Sequence, residues 1–206
     1  MAGPDEVVVR EVGARPGRAE LDPLLAEVAP SRVVVAGTDG DLAAVVLRLL
    51  RTERLAATEV AFLPASPASA VAVTWGLPTA PLEAATLAVH GEPDRVPLIR
   101  DDAGGVLLGR GEVRPARGVV YCDDELVLRG QANRLEVIPV APVGVDVRAV
   151  RVGLLGRKVR AAMGRAVQIG CLSATVLSDG EPHPRPVTRW TWYKHTEDLR
   201  MVRGRP

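Results

Sequence analysis

The residues best suited to chemistry lie in the segment Gly37-Thr38-Asp39-Gly40-Asp41, which follows the β-branched run Val33-Val34-Val35. Glycines allow backbone turns that other residues resist, so backbone N–H groups in such a turn can point toward a bound phosphate. A carboxylate beside them can hold Mg²⁺ or approach an acceptor hydroxyl, as phosphoryl transfer requires. The same residues also fit a plain turn in which an aspartate caps the following helix. The segment therefore predicts either a phosphate site or a capped turn.

Two regular elements must position this turn. The apolar run before it indicates a short buried strand. The residues after it show helical spacing, because apolar side chains recur at Leu42, Val45, Val46, Leu49 and Leu50. A strand, a glycine turn and a helix in this order place a ligand at the carboxyl end of the strand, facing the helix N-terminus. A nucleotide site, if present, is expected to begin here.

The first ninety residues alternate between predicted strands and predicted helices. The predicted strands are 7–12, 33–36 and 59–64, and the predicted helices are 19–28, 42–50, the end of 66–75, and 81–90. This alternation indicates an α/β unit with a parallel sheet and right-handed crossovers. We place this nucleotide-binding-type domain at residues 1–91.

From about residue 92 the pattern changes to short β-rich runs separated by turn residues. The predicted runs are 95–100, 105–108, 118–122, 126–129, 135–140, 150–154, 167–171, 174–177 and 187–193. Turns rich in aspartate, at 101–105, 123–124 and 178–180, indicate hairpins, and the first and last of them also contain glycine. We therefore predict a β-rich, sandwich-like domain at residues 92–206, whose last residues can pack back on the first domain.

Three motifs resemble those of the diacylglycerol and sphingosine lipid kinases. The turn at Gly37 to Asp41 resembles the family's Gly-Gly-Asp-Gly-Thr. The stretch from Leu63 to Ala70, closing on Trp75-Gly76-Leu77-Pro78, lies where the family has Leu-Pro-Leu-Gly-Thr-x-Asn-Asp and later Leu-Gly-Leu-Pro. Asp179-Gly180-Glu181 matches the family's Asp-Gly-Glu. The resemblance runs in order from Val33 over most of the chain. It implies a diacylglycerol kinase/NAD kinase-like fold, with a nucleotide domain followed by a lipid domain.

The resemblance also implies a function, namely ATP-dependent phosphorylation of a lipid hydroxyl with ATP and Mg²⁺ as cofactors. It implies carboxylates near the metal and phosphates, glycines that give backbone access, and hydroxyls that assist. The implied catalytic residues are Asp39 and Glu181, and the implied nucleotide contacts are Gly37, Thr38, Gly40, Asp41, Ser66 and Ser69.

Four positions depart from the family pattern. Thr38 adds a Cβ where a glycine lets the ligand approach, and Asp41 adds a second negative charge at the helix N-terminus. In the second loop Pro67 has no N–H to donate, and Ala70 has no carboxylate. The nearby serine hydroxyls replace about 0.5–1.5 kcal/mol each, whereas charge-assisted hydrogen bonds are worth about 1.5–3 kcal/mol each. Weak or absent ATP binding is therefore expected, and the alternative function is a catalytically impaired module that binds a lipid, a nucleotide or a protein.

Composition and charge limit the partners. The chain has 206 residues, of which 47% are hydrophobic and 25% charged, as in globular proteins. Its net charge of +1 argues against electrostatic capture of nucleic acid, so no nucleic-acid partner is expected. The segment from Arg148 to Arg165 carries six basic residues and no acid. It predicts either contact with an anionic membrane surface or an ordinary solvated face.

Location and metal binding follow from simple patterns. No run approaches the about 18 apolar residues of a membrane span, and the N-terminus does not resemble a signal peptide. A cytoplasmic protein is therefore expected, which contacts the membrane peripherally only if the basic segment meets an anionic surface. Cys122 and Cys171 are predicted to be free thiols, and Trp190 and Trp192 to pack in the core. The dispersed histidines and cysteines predict no metal site.

Overall fold

The computed structural model describes residues 7–28, 31–153 and 156–203. The helices are α1 (Arg18–Val28), α2 (Asp39–Arg51), α3 (Ala70–Trp75) and α4 (Pro81–His90). The strands are β1 (Arg32–Gly37), β2 (Glu59–Pro64), β3 (Pro93–Asp101), β4 (Val106–Leu107), β5 (Gly111–Arg114), β6 (Ala116–Cys122), β7 (Glu125–Ala132), β8 (Arg134–Val140), β9 (Gly144–Gly153), β10 (Gly156–Gly164), β11 (Ala166–Ser178), β12 (Glu181–Pro182) and β13 (Val187–Val202).

The N-terminal half is built on two parallel strands, as the alternating pattern predicts. β1 pairs with β2 in parallel register, with Val33 opposite Val60. α2 connects them and buries the side chains of its apolar stripe, among them Leu42, Val46 and Leu49. The end of β13 continues the sheet, because Met201 pairs in parallel with Val60. The last described residues of the chain therefore pack on the N-terminal strands.

The C-terminal half is antiparallel and forms two facing layers. The first half of β11 pairs with β6 and β13, and its second half pairs with β5. From β5 the second layer continues through β8, β9 and β10, while β7 extends the first layer beyond β6. Side chains from both layers, including Val120, Val147 and Trp192, form one apolar core. The predicted combination of a parallel N-terminal sheet and a β-rich C-terminal part is confirmed.

A second core lies under α1, α2 and α3, and two long strands contribute to both cores. In β3, Leu98 belongs to the helical core and Ile99 to the β-rich core. In β13, Leu199 and Trp192 are divided in the same way. Since adjacent residues of a strand point to opposite faces, one strand can serve two cores. The boundary between residues 91 and 92 stays a prediction.

Several predicted elements need correction. The stretch 7–12 is not a strand, and its valines at 7, 9 and 12 are exposed. β5 and β10 were not predicted, since Gly-Glu-Val-Arg and an arginine-rich run lack the alternation of a half-buried strand. The runs 167–171 and 174–177 form the single strand β11, with a bulge between Gly170 and Ala174. The end of the run 150–154 lies outside the described residues.

Other expectations about side chains are confirmed. Trp190 and Trp192 are buried in the β-rich core. Cys122 is buried and Cys171 half-buried, and neither forms a disulfide.

In the described ranges, no helix combines the length and apolar character that crossing a membrane demands.

Candidate functional site

The glycine turn between β1 and α2 is closed by a capping box. Thr38 is the N-cap residue, and its hydroxyl accepts a hydrogen bond from the Asp41 N–H at 3.2 Å. In return, Asp41 Oδ2 accepts hydrogen bonds from the Thr38 N–H and hydroxyl, both at 2.8 Å. The two residues that depart from the lipid kinase motif in this turn are therefore partners of each other. The Thr38 N–H, which could face a phosphate, is used by the chain itself.

Gly37 is needed for this cap. A Cβ at position 37 would lie 2.6 Å from Asp41 Oδ2, closer than non-bonded atoms approach. The other carboxylate oxygen, Asp41 Oδ1, accepts the backbone N–H of Arg15 at 2.6 Å. Burial raises the pKa of Asp41, but the hydrogen bonds from Arg15 and Thr38 outweigh this effect and hold it below its usual value. The side chain is thus stabilised as a carboxylate and bound on both oxygens.

Asp39 caps the next helix rather than its own. One of its carboxylate oxygens accepts the hydroxyl of Ser69, and the other accepts the N–H of Ala70 at 2.7 Å and that of Val71 at 3.4 Å. Ser69 in turn accepts the Ala72 N–H at 3.0 Å and is the N-cap of α3. The structure therefore brings two sequence-predicted site residues, Asp39 and Ser69, into direct contact.

Glu181 lies against the glycine turn. Its neighbour there is Gly40, where an added Cβ would lie 3.1 Å from Glu181 Cγ and 3.3 Å from Oε1. Glu181 Oε2 accepts a hydrogen bond from Arg15 Nη1 at 2.7 Å, which forms an ion pair. The glycine turn and the Asp179-Gly180-Glu181 motif are therefore in contact, although most of the chain separates them in sequence. Ser66 is not brought in, because it is exposed and its hydroxyl accepts the Ala68 N–H within its own turn.

Sequence reasoning missed the role of Asp179. Its buried carboxylate accepts three backbone N–H groups, from Leu108 at 2.8 Å, Gly109 at 2.7 Å and Arg110 at 2.9 Å. Burial raises its pKa to about 7; the three N–H donors lower it, and the negative charge of Asp39 raises it further. A hairpin turn of this composition predicts a solvated aspartate, whereas Asp179 is buried. The turn residues alone do not show that the loop from Leu108 to Arg110 packs on them.

Asp179 supports α3 through the loop that it binds. A Cβ on Gly109 would lie 2.6 Å from the Val71 nitrogen, so this loop packs directly on the first turn of α3. The Trp75 indole N–H also donates to the Leu108 carbonyl at 2.7 Å. Asp39 and Asp179 therefore hold α3 from two sides.

Around the glycine turn, several of the groups that the resemblance implies for ATP and Mg²⁺ are occupied or missing. The N–H groups of Thr38 and Ala70 are already donated to Asp41 and Asp39, and Pro67 has none. In residues 7–28, 31–153 and 156–203, no group of three or more His, Cys, Asp or Glu side chains is arranged to hold a metal ion. At these two loops, three of the backbone positions that could face a phosphate therefore have no free N–H.

Comparisons with known proteins agree on the fold. The sequence matches no protein-family model and no curated protein. A diacylglycerol kinase structure from Bacillus anthracis shares 14% identity with a TM-score of 0.66, covering 84% of this chain and 76% of that one. A putative diacylglycerol kinase from the same organism shares 15% identity with a TM-score of 0.65, covering 88% and 80%.

An NAD kinase from Archaeoglobus fulgidus, solved in complex with ATP, shares 16% identity with a TM-score of 0.50, covering 84% of this chain and 78% of that one. At such identities the likeness concerns the fold. The predicted resemblance in fold is confirmed: this protein has a divergent diacylglycerol kinase-like fold, of the type also found in NAD kinases.

Proposed function

We propose that this protein is a catalytically silent member of the diacylglycerol kinase-like fold that binds lipid at an anionic membrane surface. The observation that carries the first half of this proposal is the position of Asp39. Its two carboxylate oxygens cap α3, through the Ser69 hydroxyl and the Ala70 N–H, instead of facing an open phosphate cradle. The residue that the resemblance implies for catalysis therefore has a structural role.

Energetics favour the silent state. ATP would have to displace the contacts of Asp39 with the second loop and those of Asp41 with Thr38. Each hydrogen bond to a carboxylate is worth about 1.5–3 kcal/mol, and about 1.4 kcal/mol corresponds to a tenfold change in affinity. Losing two such bonds lowers ATP affinity by at least about a hundredfold. No carboxylate at position 70 compensates for this loss.

Lipid binding is supported by the fold and by the basic hairpin, the name used here for β9 and β10. Arg157, Lys158 and Arg160 are exposed on β10, and no acid lies between Arg148 and Arg165. Basic residues near an anionic leaflet each contribute about 1 kcal/mol to binding. We therefore propose a cytoplasmic protein that contacts the membrane peripherally through this hairpin.

A second candidate function is an active lipid kinase that uses ATP and Mg²⁺. The contact between Gly40 and Glu181 favours it, because this contact brings the third motif against the glycine turn that carries Asp39. The resemblance implies this convergence for a phosphotransferase. The two functions differ in whether the glycine turn accepts a nucleotide.

Calorimetry with ATP and Mg²⁺ and an assay of lipid-dependent ATP turnover separate the two functions. We expect no saturable ATP binding at millimolar concentration and no turnover with mixed lipid micelles. The variant Asp39→Asn tests the site, and Asp102→Asn, in an exposed turn, is the matched control. Micromolar ATP affinity, or turnover that Asp39→Asn abolishes and Asp102→Asn preserves, would establish the kinase instead.

A further inference from the structure

One face of the first β-layer is open and carries arginines. β7, β6, β11 and β13 pair side by side, and their opposite face packs on the β-rich core. Across these strands Arg129 lies opposite Val119, Val119 opposite Gly170, and Gly170 opposite Arg189. Arg117 points to the same side, two residues before Val119 on β6. We call Arg117, Arg129 and Arg189 with the strands between them the arginine face.

A shallow groove of about 830 Å³ runs across this face. Gly118, Gly130 and Gly170 line it, so no side chains fill it there. A Cβ on Gly118 would lie 2.0 Å from the Gly170 carbonyl oxygen, which explains why a glycine is required at that position. Val119 and Leu172 border the groove and are 37% and 67% exposed. The face thus combines apolar side chains with the arginines.

The three arginines have no anionic partner among the described residues. Among the residues that the structure describes, none of their side chains forms an ion pair or a hydrogen bond. The adjacent acids Asp124 and Glu125 lie at the turn between β6 and β7, at the opposite end of that hairpin from Arg117. Guanidinium groups bind phosphate oxygens in a bidentate way, so three of them on one open face complement an anionic surface.

The arginine face continues into the basic hairpin. Arg151 Nε donates to the Gln131 carbonyl at 2.8 Å, on the free edge of β7 next to Arg129. Lys158 lies directly opposite Arg151 on β10. The two basic surfaces therefore meet at the edge of β7, and together they are too broad for a small soluble anion.

We propose that the arginine face docks on anionic phospholipid headgroups. Arg117, Arg129 and Arg189 contact lipid phosphates, while Val119 and Leu172 rest against the apolar boundary beneath them. This inference rests on the proposed lipid binding and deepens it, because it adds a docking surface outside the basic hairpin. Arg117, Val119 and Arg129 belong to neighbouring positions of the β6–β7 pair, and Arg189 and Leu172 are exposed on the strands beside it.

Co-sedimentation with vesicles tests this surface. Vesicles of phosphatidylcholine alone are compared with vesicles containing phosphatidylglycerol, at low and high salt. In the face variant, the three arginines of the arginine face are changed to glutamine. A control variant with Arg18→Gln, Arg51→Gln and Arg95→Gln loses the same charge elsewhere. A hairpin variant carries Arg157→Gln, Lys158→Gln and Arg160→Gln. We expect the face variant to bind phosphatidylglycerol vesicles at least about tenfold more weakly than the native chain. The control variant should lose much less of this binding.

Cysteine labelling provides an independent readout. Cys171 lines the groove and is half-buried, and burial raises its pKa above the usual value. Cys122 is fully buried, and burial raises its pKa to about 11, so it is the less reactive thiol. We expect phosphatidylglycerol vesicles to protect Cys171 from a maleimide, and an unreactive Cys122 to show that each variant is folded. Unchanged binding of the face variant together with an unprotected Cys171 would overturn the inference. If, in that case, the hairpin variant lost binding, the proposed lipid binding would stand without the arginine face. No binding of the native chain to either vesicle would contradict both.

Discussion

The backbone N–H of Ala70 donates to a carboxylate oxygen of Asp39 at 2.7 Å, which ties the glycine turn to the start of α3. The lipid kinase pattern has an aspartate at position 70, whereas this chain has an alanine there. An acidic side chain at this position would place a second negative charge next to Asp39, and like charges at short range are unfavourable. The substitution at position 70 and the capping role of Asp39 are therefore mutually consistent.

Replacing Asp39 with asparagine is expected to destabilise the fold. Asparagine keeps the shape but removes the negative charge that strengthens the bonds to Ser69 and Ala70. Charge-assisted hydrogen bonds exceed neutral ones, so we expect the free energy of unfolding to fall by about 1–3 kcal/mol. Urea denaturation measures this change, with Asp102→Asn as an exposed control. Equal stability of the two variants would contradict the capping role.

Gly109 is expected to be intolerant of a side chain. In Gly109→Ala the new Cβ would lie 2.6 Å from the Val71 nitrogen, and backbone atoms cannot move aside cheaply. Overpacking of this kind costs about 1–3 kcal/mol, and fluorescence of the nearby Trp75 should report the displacement of α3. In Gly153→Ala, at the end of β9, the added Cβ meets no atom within 4 Å, so this control should remain close to the parent. Similar stability of both variants would show that the loop and α3 are not in tight contact.

Arg15 is expected to combine a weak ion pair with a strained backbone. Its φ of 50° lies in the left-handed region, which costs a residue with a Cβ about 1–2 kcal/mol. Arg15→Ala and Arg15→Gly both lose the pair with Glu181, which is worth less than about 1 kcal/mol because both partners are exposed. Only the glycine variant also loses the strain. After the larger entropy of unfolded glycine is subtracted, it should be about 0.5–1 kcal/mol more stable than the alanine variant.

The comparison between the two Arg15 variants isolates the backbone term, since the lost ion pair is common to both. Thermal or urea unfolding of the pair gives the difference directly. An alanine variant as stable as the glycine variant, or more stable, would mean that position 15 is not held in the left-handed conformation in solution.

Asp179 should make stability depend on pH. Burial raises its pKa to about 7 in the folded state, whereas an unfolded aspartate titrates near 3.8. Below about pH 4 both states are protonated, and between about pH 4 and 7 only the unfolded state releases the proton. The folded state then binds more protons, so the contribution of Asp179 to stability is lost as the pH rises toward 7. The expected slope is on the order of 1 kcal/mol per pH unit.

Asp179→Asn removes this titration. Urea unfolding of the parent and the variant across the same pH range should show that the difference between their stabilities shrinks as the pH rises. Asp124→Asn, at an exposed position, should leave the slope of the parent unchanged. A constant difference between the parent and Asp179→Asn would show that the carboxylate stays charged in the fold throughout this range.

Local pattern was sufficient for much of the N-terminal half. β2 and α4 have the bounds that the sequence predicts, because an apolar run and a proline-started amphipathic stretch carry their own structural signals. The stretch 7–12 carries a similar signal but forms no strand, since a β-branched run needs a neighbouring strand to pair with. β10, which was not predicted, is the opposite case. Its exposed arginines show no apolar alternation, but it forms a strand because β9 is there to pair with it.

The order of the motifs, the composition of the glycine turn and the fold class are thus set by the sequence alone, because they depend on short-range spacing. Only the tertiary structure decided what the acidic residues do. Asp39 caps a helix that begins 31 residues later, Glu181 reaches Arg15 across nearly the whole chain, and Asp179 binds the loop after β4. A carboxylate takes the donors that packing brings to it, and which donors those are depends on contacts between segments far apart in the chain.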